Sequence, residues 1–205
     1  MRIISGTAAG TLLKVPKGFD VRPTPDLVRQ AIFNSLGGRV LDARVRELFA
    51  GTGALSIECL SRGAAHAFCV EKSGRHAGFI RANVATAGFE SPRLEIRTID
   101  AFTALAQLAG AGRKFDLIFA DPPYGEKNVG RRSTSYAQRL LDDPDLPRVL
   151  EPTGWFILGH TKRDTLSLGV PWQETKLLKH GDTHMRFLKL AVAEAPPEGK
   201  PSYEE

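Results

Sequence analysis

From residue 46 onward, short apolar runs and helix-patterned segments take turns, and this alternation limits the possible folds more than any other feature of the chain. Strand-like runs fall at 46–49, 67–71, 94–99, 115–120 and 155–159. Helix-like segments at 54–62, 75–87 and 102–109 lie between them, with a looser one around 136–150. Alternation at this rhythm predicts a mainly parallel sheet covered by helices on both faces. Residues 173–180 and 185–190, around Gly181-Asp182-Thr183, predict a closing antiparallel hairpin.

The first thirty-six residues differ from the rest. Ile3-Ile4 and Leu12-Leu13 with Val15 flank Thr7-Ala8-Ala9-Gly10, which predicts a short hairpin turned at Gly10. In the run RPTPDLVRQAIFNSLGG, Thr24 suits a helix N-cap, Pro25 the first helical position, and Asp26 the positive end of the helix. Leu27, Val28, Ala31, Ile32 and Leu36 recur at helical spacing, and Gly37-Gly38 ends the element. The expected division is a hairpin and helix over 1–36, an α/β domain over 37–190 and an acidic tail over 191–205.

A chain of 205 residues, 42% hydrophobic and 25% charged, is globular in composition and short for two independent cores. No apolar run approaches the roughly eighteen residues needed to cross a bilayer, and MRIISG lacks the apolar stretch of a signal peptide. Cys59 and Cys69 are too few for a disulfide framework, so a cytoplasmic protein with no membrane contact is expected. The net charge is +5, yet four glutamates against Lys200 give residues 191–205 a balance of −3, leaving +8 on residues 1–190. Such a basic body suits a polyanionic partner.

Ligands of open α/β sheets bind beyond the carboxyl ends of the strands. The first strand ends in ELFAGTGALS, where Gly51 and Gly53 allow a sharp turn and close backbone approach. Glu71 ends the second strand, where a carboxylate can accept both hydroxyls of a ribose; Asp100 ends the third, beside an expected adenine edge. Together these ends describe a pocket for an adenosine-containing ligand. Each also has a purely structural alternative: an ordinary turn, a solvated strand end, and a helix N-cap. A dinucleotide fingerprint would need a third glycine where Ser56 stands, which counts against a nicotinamide dehydrogenase.

The fourth strand is more specific. FDLIFADPPYGE places Asp121-Pro122-Pro123-Tyr124 directly after an apolar run, and the prolines stiffen the loop while removing two amide donors. A carboxylate, carbonyl oxygens and an aromatic ring then face the cleft. Acceptors with a stacking plate suit a planar base that carries an exocyclic NH₂.

FAGTGAL with DPPY resembles the class I S-adenosylmethionine-dependent methyltransferases that modify exocyclic amines. With MRIISG, the RPTPDLVRQAIFN helix and the HGDT turn, the chain resembles the bacterial small-subunit ribosomal RNA guanine-N2 methyltransferases of the RsmD type, from residue 1 to about 190. The resemblance implies a Rossmann-like fold with a mainly parallel seven-stranded sheet, a closing antiparallel hairpin, and the N-terminal hairpin and helix. It implies S-adenosylmethionine as cofactor. Glu47 and the loop Phe49-Ala50-Gly51-Thr52-Gly53 would hold its methionine end, Glu71 its ribose, and Asp100 with Ala101 its adenine, with Lys72 a further cofactor contact. Asp121, Pro122, Pro123 and Tyr124 would hold the target guanine. Glu47 departs from the family pattern, which more often carries Asp there.

Arg2, Lys14, Lys17 and Arg22 near the N-terminus, and Lys127, Arg131 and Arg132 after DPPY, are candidate contacts to the RNA backbone of a ribosomal subunit or assembly intermediate. His180 and His184, separated by a turn and without a cysteine partner, do not predict a metal site. A monomer is expected. The rival readings are a DNA or RNA methyltransferase of adenine N6 or cytosine N4, and a non-catalytic RNA-binding assembly factor.

Overall fold

The computed structural model describes residues 1–16, 24–89, 92–123 and 132–191. Lys17, Arg22, Tyr124, Lys127, Arg131 and the acidic tail from 192 lie outside the described residues.

The chain begins with helix α1 (Asp26–Leu36) and a single 3-10 turn (Gly37–Val40), then alternates. Strand β1 (Arg44–Leu48) leads to α2 (Ala54–Ser61), β2 (His66–Val70) to α3 (Gly74–Thr86), and β3 (Leu94–Arg97) to α4 (Ala101–Gly110). After β4 (Phe115–Ala120) come α5 (Tyr136–Leu141), β5 (Leu150–Thr161), β6 (Trp172–His180) and β7 (Thr183–Leu190). The seven strands form one sheet in the order β3-β2-β1-β4-β5-β7-β6. The first five pair in parallel, and β7 runs antiparallel to both β5 and β6. The expected sheet and closing hairpin are therefore both present.

Strand alternation divides the core. In β1, Val45 joins the layer under α1, α2 and α3, whereas Leu48 joins the layer under α4 and α5. Arg46, fully buried in the second layer, lies with its guanidinium 5.0 Å from the ring centre of Phe68 and 4.6 Å from that of Phe115. Burial pulls its pKa down to about 10.

The N-terminal residues share the main core: Ile3, Ala8, Leu13, Ile32 and Phe33 pack in the same cluster as Val45, Ile57 and Phe119. They cover α2, all eight residues of which are buried. Glu58, buried on α2, accepts from the amides of Ile4 at 2.8 Å and Ser5 at 3.1 Å and from Arg62 Nε at 2.8 Å. Gly6, at φ +87°, passes so close to α2 that a Cβ there would overlap the Ser61 carbonyl. The expected hairpin has a single bridge, Arg2 with Leu12; Ile3 exchanges backbone bonds with Gly10 and Thr11, while Thr7 and Ala8 at its tip donate to Ser61 of α2.

Several boundaries differ from expectation; β3, for one, ends at Arg97, short of Ile99. Pro25, extended at φ −56° and ψ 149°, stands at the N-cap of α1, and no side chain caps the helix. Thr24 is therefore not the cap, because its hydroxyl is engaged elsewhere. The looser segment around 136–150 is the short helix α5 followed by a 3-10 turn (Pro147–Val149), and between them Asp143 accepts from the amides of Asp145 and Leu146. Strand β5 starts at Leu150, earlier than the apolar run, because Pro152 and Gly154 interrupt the side-chain pattern but not the extended backbone.

Candidate active site

Register brings the candidate residues to one edge. Leu48 pairs with Val70 and Ala120, and Ala120 pairs with Leu158. The next residues in each strand, Phe49, Glu71, Asp121 and Gly159, therefore stand in a row at the carboxyl end of the sheet. Strand order reverses between β1 and β4, the place where open sheets form a crevice. A cleft of about 400 Å³ opens there.

One wall comes from Phe49, Gly51, Glu71 and Lys72, a second from Ile99, Asp100 and Ala101, and a third from Asp121, Pro122 and Pro123. Nine of the thirteen residues singled out for the cofactor or the base thus line one cavity. The structure adds Val70, Ser73, His76 and Tyr136 to the lining. Val70 could be inferred as the residue before Glu71, but nothing in the sequence ties Tyr136 to the site.

The backbone of the glycine loop is specialised. Gly51 has φ +54° and Gly53 φ +73°, and Phe49, a non-glycine residue, is held at φ +55°. A left-handed Phe costs on the order of 1–3 kcal/mol and persists only where its surroundings fix it. The Phe49 ring packs 5.4 Å from Tyr136 and 6.3 Å from Phe102. A carboxylate fixes the neighbouring residue. Glu71 Oε2 accepts from the Gly51 amide at 2.8 Å while Oε1 accepts from the Ser73 amide at 2.8 Å.

Asp100 serves as both N-cap and cleft residue. Its side chain accepts from the Phe102 amide at 3.0 Å, and Lys72 Nζ lies 3.6 Å from its other oxygen. The structural alternative for Asp100 and its place in the pocket therefore coexist.

Asp121 is the most unusual polar group of the cleft. Its Oδ2 accepts from Thr24 Oγ1 at 2.7 Å, and its Oδ1 is buried without a partner among the described residues. Burial pushes the carboxyl above its usual range, and the Thr24 hydrogen bond acts against that rise. Gly159 on β5 makes the room: a Cβ there would overlap Asp121 Oδ1.

Glu47, Ala50 and Gly53 do not line the cleft. Glu47 is buried beneath α2, where Oε2 accepts from the Ser56 amide at 2.8 Å, third in the helix after its Gly53 N-cap. It satisfies an orphan helix donor from below, and burial raises its pKa to about 7. The three described residues among the candidate RNA contacts are spread over the surface. Arg2 is exposed beside Asp26 at 3.9 Å, Lys14 is held by its backbone to Asn83, and Arg132 pairs with Asp142 at 2.6 Å.

The donor set fits an adenosine ligand with a charged tail: an acidic residue at the end of β2, a second after β3, apolar walls from Val70 and Ile99, and a Cβ-free backbone at Gly51. With the sheet order, this cleft gives the protein a Rossmann-like fold of the methyltransferase class, with a pocket whose lining fits S-adenosylmethionine. The family model described as "Conserved hypothetical protein 95" matches residues 1–189, and the chain belongs to that family.

Among relatives, the chain is 34% identical over 162 residues to "Putative rRNA methyltransferase YlbH" of Bacillus subtilis (strain 168), covering 79% of this chain and 83% of that one. It is 36% identical over 124 residues to "Ribosomal RNA small subunit methyltransferase D" of Escherichia coli (strain K12), where the match spans 60% of each chain. Of solved structures, "Putative methyltransferase yhhF from Escherichia coli" superposes with a TM-score of 0.74 at 28% identity, over 93% of this chain and 98% of that one.

Proposed function

We propose that this protein methylates the exocyclic N2 amine of a guanine in small-subunit ribosomal RNA, acting as a monomer on the subunit or an assembly intermediate in the cytoplasm. The observation that carries the reading is the position of Asp121, Pro122 and Pro123 on the wall of the same cleft as Glu71 and Asp100. An amine bound at the first set is then a neighbour of a donor bound at the second. The names of the relatives supply the RNA class.

Bound S-adenosylmethionine supplies an activated methyl group, so no nucleophile has to be made from a side chain. Glu71 and the Gly51 backbone would hold the ribose end and Asp100 with Ala101 the adenine. The residues after β4 bind and orient the base. Pro122 and Pro123 carry no N–H, so this lip offers acceptors only: the Asp121 carboxylate and the Pro122 carbonyl. A guanine N2 lone pair is delocalised into its ring. Acceptors on the N–H bonds favour a pyramidal nitrogen and stabilise the positive charge that develops on it. Alignment contributes further, because fixing the reacting groups removes entropy from the barrier. Asp121 receives the proton late or passes it to water. Tyr124, outside the described residues, is expected from the sequence to stack on the base.

Arg2 and Lys14, with the basic surface over residues 1–190, would contact RNA phosphates and set its orientation. The test is to incubate the enzyme and methyl-labelled donor with small subunits from cells that lack the protein, then map the RNA by mass. One N2-methylguanine is expected. Label on adenine or cytosine, or none at all, would overturn the reading.

A further inference from the structure

Two residues far apart in sequence share one hydrogen bond at the lip of the cleft, and the rest of the carboxylate's surroundings give that bond a purpose. Asp121 lines the cleft, yet its Oδ1 is shut away against the bare Cα of Gly159. Of the two carboxylate oxygens, only Oδ2 can accept from an incoming ligand. That oxygen is the one to which Thr24 donates, at 2.7 Å. A carboxylate oxygen has two acceptor sites, so the Thr24 bond leaves one in place for a second donor while fixing the plane of the group.

Thr24 is placed for this by its neighbours. Pro25 occupies the N-cap of α1 in an extended conformation, which keeps Thr24 off the helix end. Asp26, next along, is tied to Arg29 Nη2 at 2.8 Å, and Arg29 is fully buried. The start of α1 is thereby anchored to the core, and the Thr24 hydroxyl is presented from a fixed base.

We infer that Thr24 is a positioning residue for methyl transfer, holding Asp121 Oδ2 in the orientation from which that oxygen accepts the amine of the target base. The inference rests on the proposed function for its substrate, but the contact itself belongs to the free protein. Burial disfavours the charged carboxylate, and the hydroxyl donation favours it, so Thr24 also keeps Asp121 an acceptor. The groups around Asp121 do not confuse this. Gly159 of β5 and Met185 of β7 do not titrate, Glu71 is engaged by the Gly51 and Ser73 amides with His76 of α3 3.6 Å from it, and Lys72 and Asp100 face each other.

The experiment compares Thr24→Val, which keeps the shape and loses the donor, with Thr24→Ser, which keeps the donor. Two readouts are taken on each. The first is the titration of the Asp121 carboxyl carbon by NMR in the free enzyme; the second is kcat on small subunits with both substrates saturating. In Thr24→Val the Asp121 titration should move to higher pH and kcat should fall about tenfold or more, as for a lost hydrogen bond to a charged group. The acid limb of its kcat/KM profile, which reports the free enzyme, should move to higher pH by the same amount as the titration, and Thr24→Ser should restore both. An unmoved titration in Thr24→Val, or equal damage from Ser and Val, would overturn the inference. If wild-type enzyme modifies no small-subunit guanine, the proposed function fails; the titration then still decides whether Thr24 governs Asp121.

Discussion

Glu71 bonds the amide of Gly51 across twenty residues of sequence, at 2.8 Å, and with its other oxygen bonds the amide of Ser73. The same carboxylate that would take the ribose therefore also holds the glycine loop in its left-handed turn. Loop shape and ligand contact are coupled through one side chain.

Replacing Glu71 with Ala should accordingly weaken S-adenosylmethionine binding more than the loss of a ribose contact alone would. Charge-assisted hydrogen bonds contribute about 1.5–3 kcal/mol each. An increase in Kd of roughly 100-fold is expected by calorimetry. Affinity within a few-fold of wild type would separate Glu71 from the cofactor site.

Asp121→Ala should behave differently. The acceptor is lost from the amine side of the cleft, so kcat should fall by about 10²-fold or more while cofactor affinity stays near wild type. Single-turnover methyl transfer and calorimetry on the same preparation make the comparison. A variant that turns over normally would remove the acceptor role.

The fold was largely visible in the pattern of residues, for identifiable reasons. The run at 115–120 is apolar except for Asp116 at its start because the strand is covered on both faces, and its observed limits are Phe115–Ala120. Strand-end residues were also readable, since Glu71 and Asp121 each follow an apolar run directly and Asp100 follows the alternating stretch Leu94–Ile99. Contacts made by chain reversal were not. Thr24 looks like a helix cap locally, and only the packing of α1 against the sheet brings it to Asp121. Glu47 fits a cofactor motif by position, but its burial under the Ser56 amide takes it out of the cleft wall. Tyr136 enters the cleft from α5, a helix whose place over the sheet is set by tertiary packing alone.

Gly159 gives a test of the same lip from the opposite side. A Cβ at this position would overlap Asp121 Oδ1 and would also come within 3.2 Å of Met185 Sδ. Gly159→Ala should cost about 1–3 kcal/mol of stability through overpacking, read as a lower denaturation midpoint. Because the carboxylate must shift, kcat should also drop, by up to about 10²-fold for a displacement near 1 Å. The two effects part company in the double variant. If the kinetic loss acts through Asp121, Gly159→Ala should add little to kcat in an Asp121→Ala background. Full additivity would place the damage elsewhere.

Glu47 carries a prediction about stability. Burial raises its pKa from the ordinary 4.5 to about 7, so the folded protein holds a proton that the unfolded chain has already released between those values. The folded state binds more protons in that window, and stability therefore falls as pH rises from about 4.5 to about 7 and levels off above. Glu47→Gln keeps an oxygen to accept from the Ser56 amide, which wild type bonds at 2.8 Å, and cannot ionise. The two proteins should unfold alike near pH 4.5, and the Gln variant should gain on wild type up to about 3 kcal/mol by pH 8. Urea unfolding at matched pH values measures the difference. A gap that stays constant with pH, or one in which wild type gains as pH rises, would mean that Glu47 ionises in the fold at or below its ordinary pH and that its burial carries no such cost.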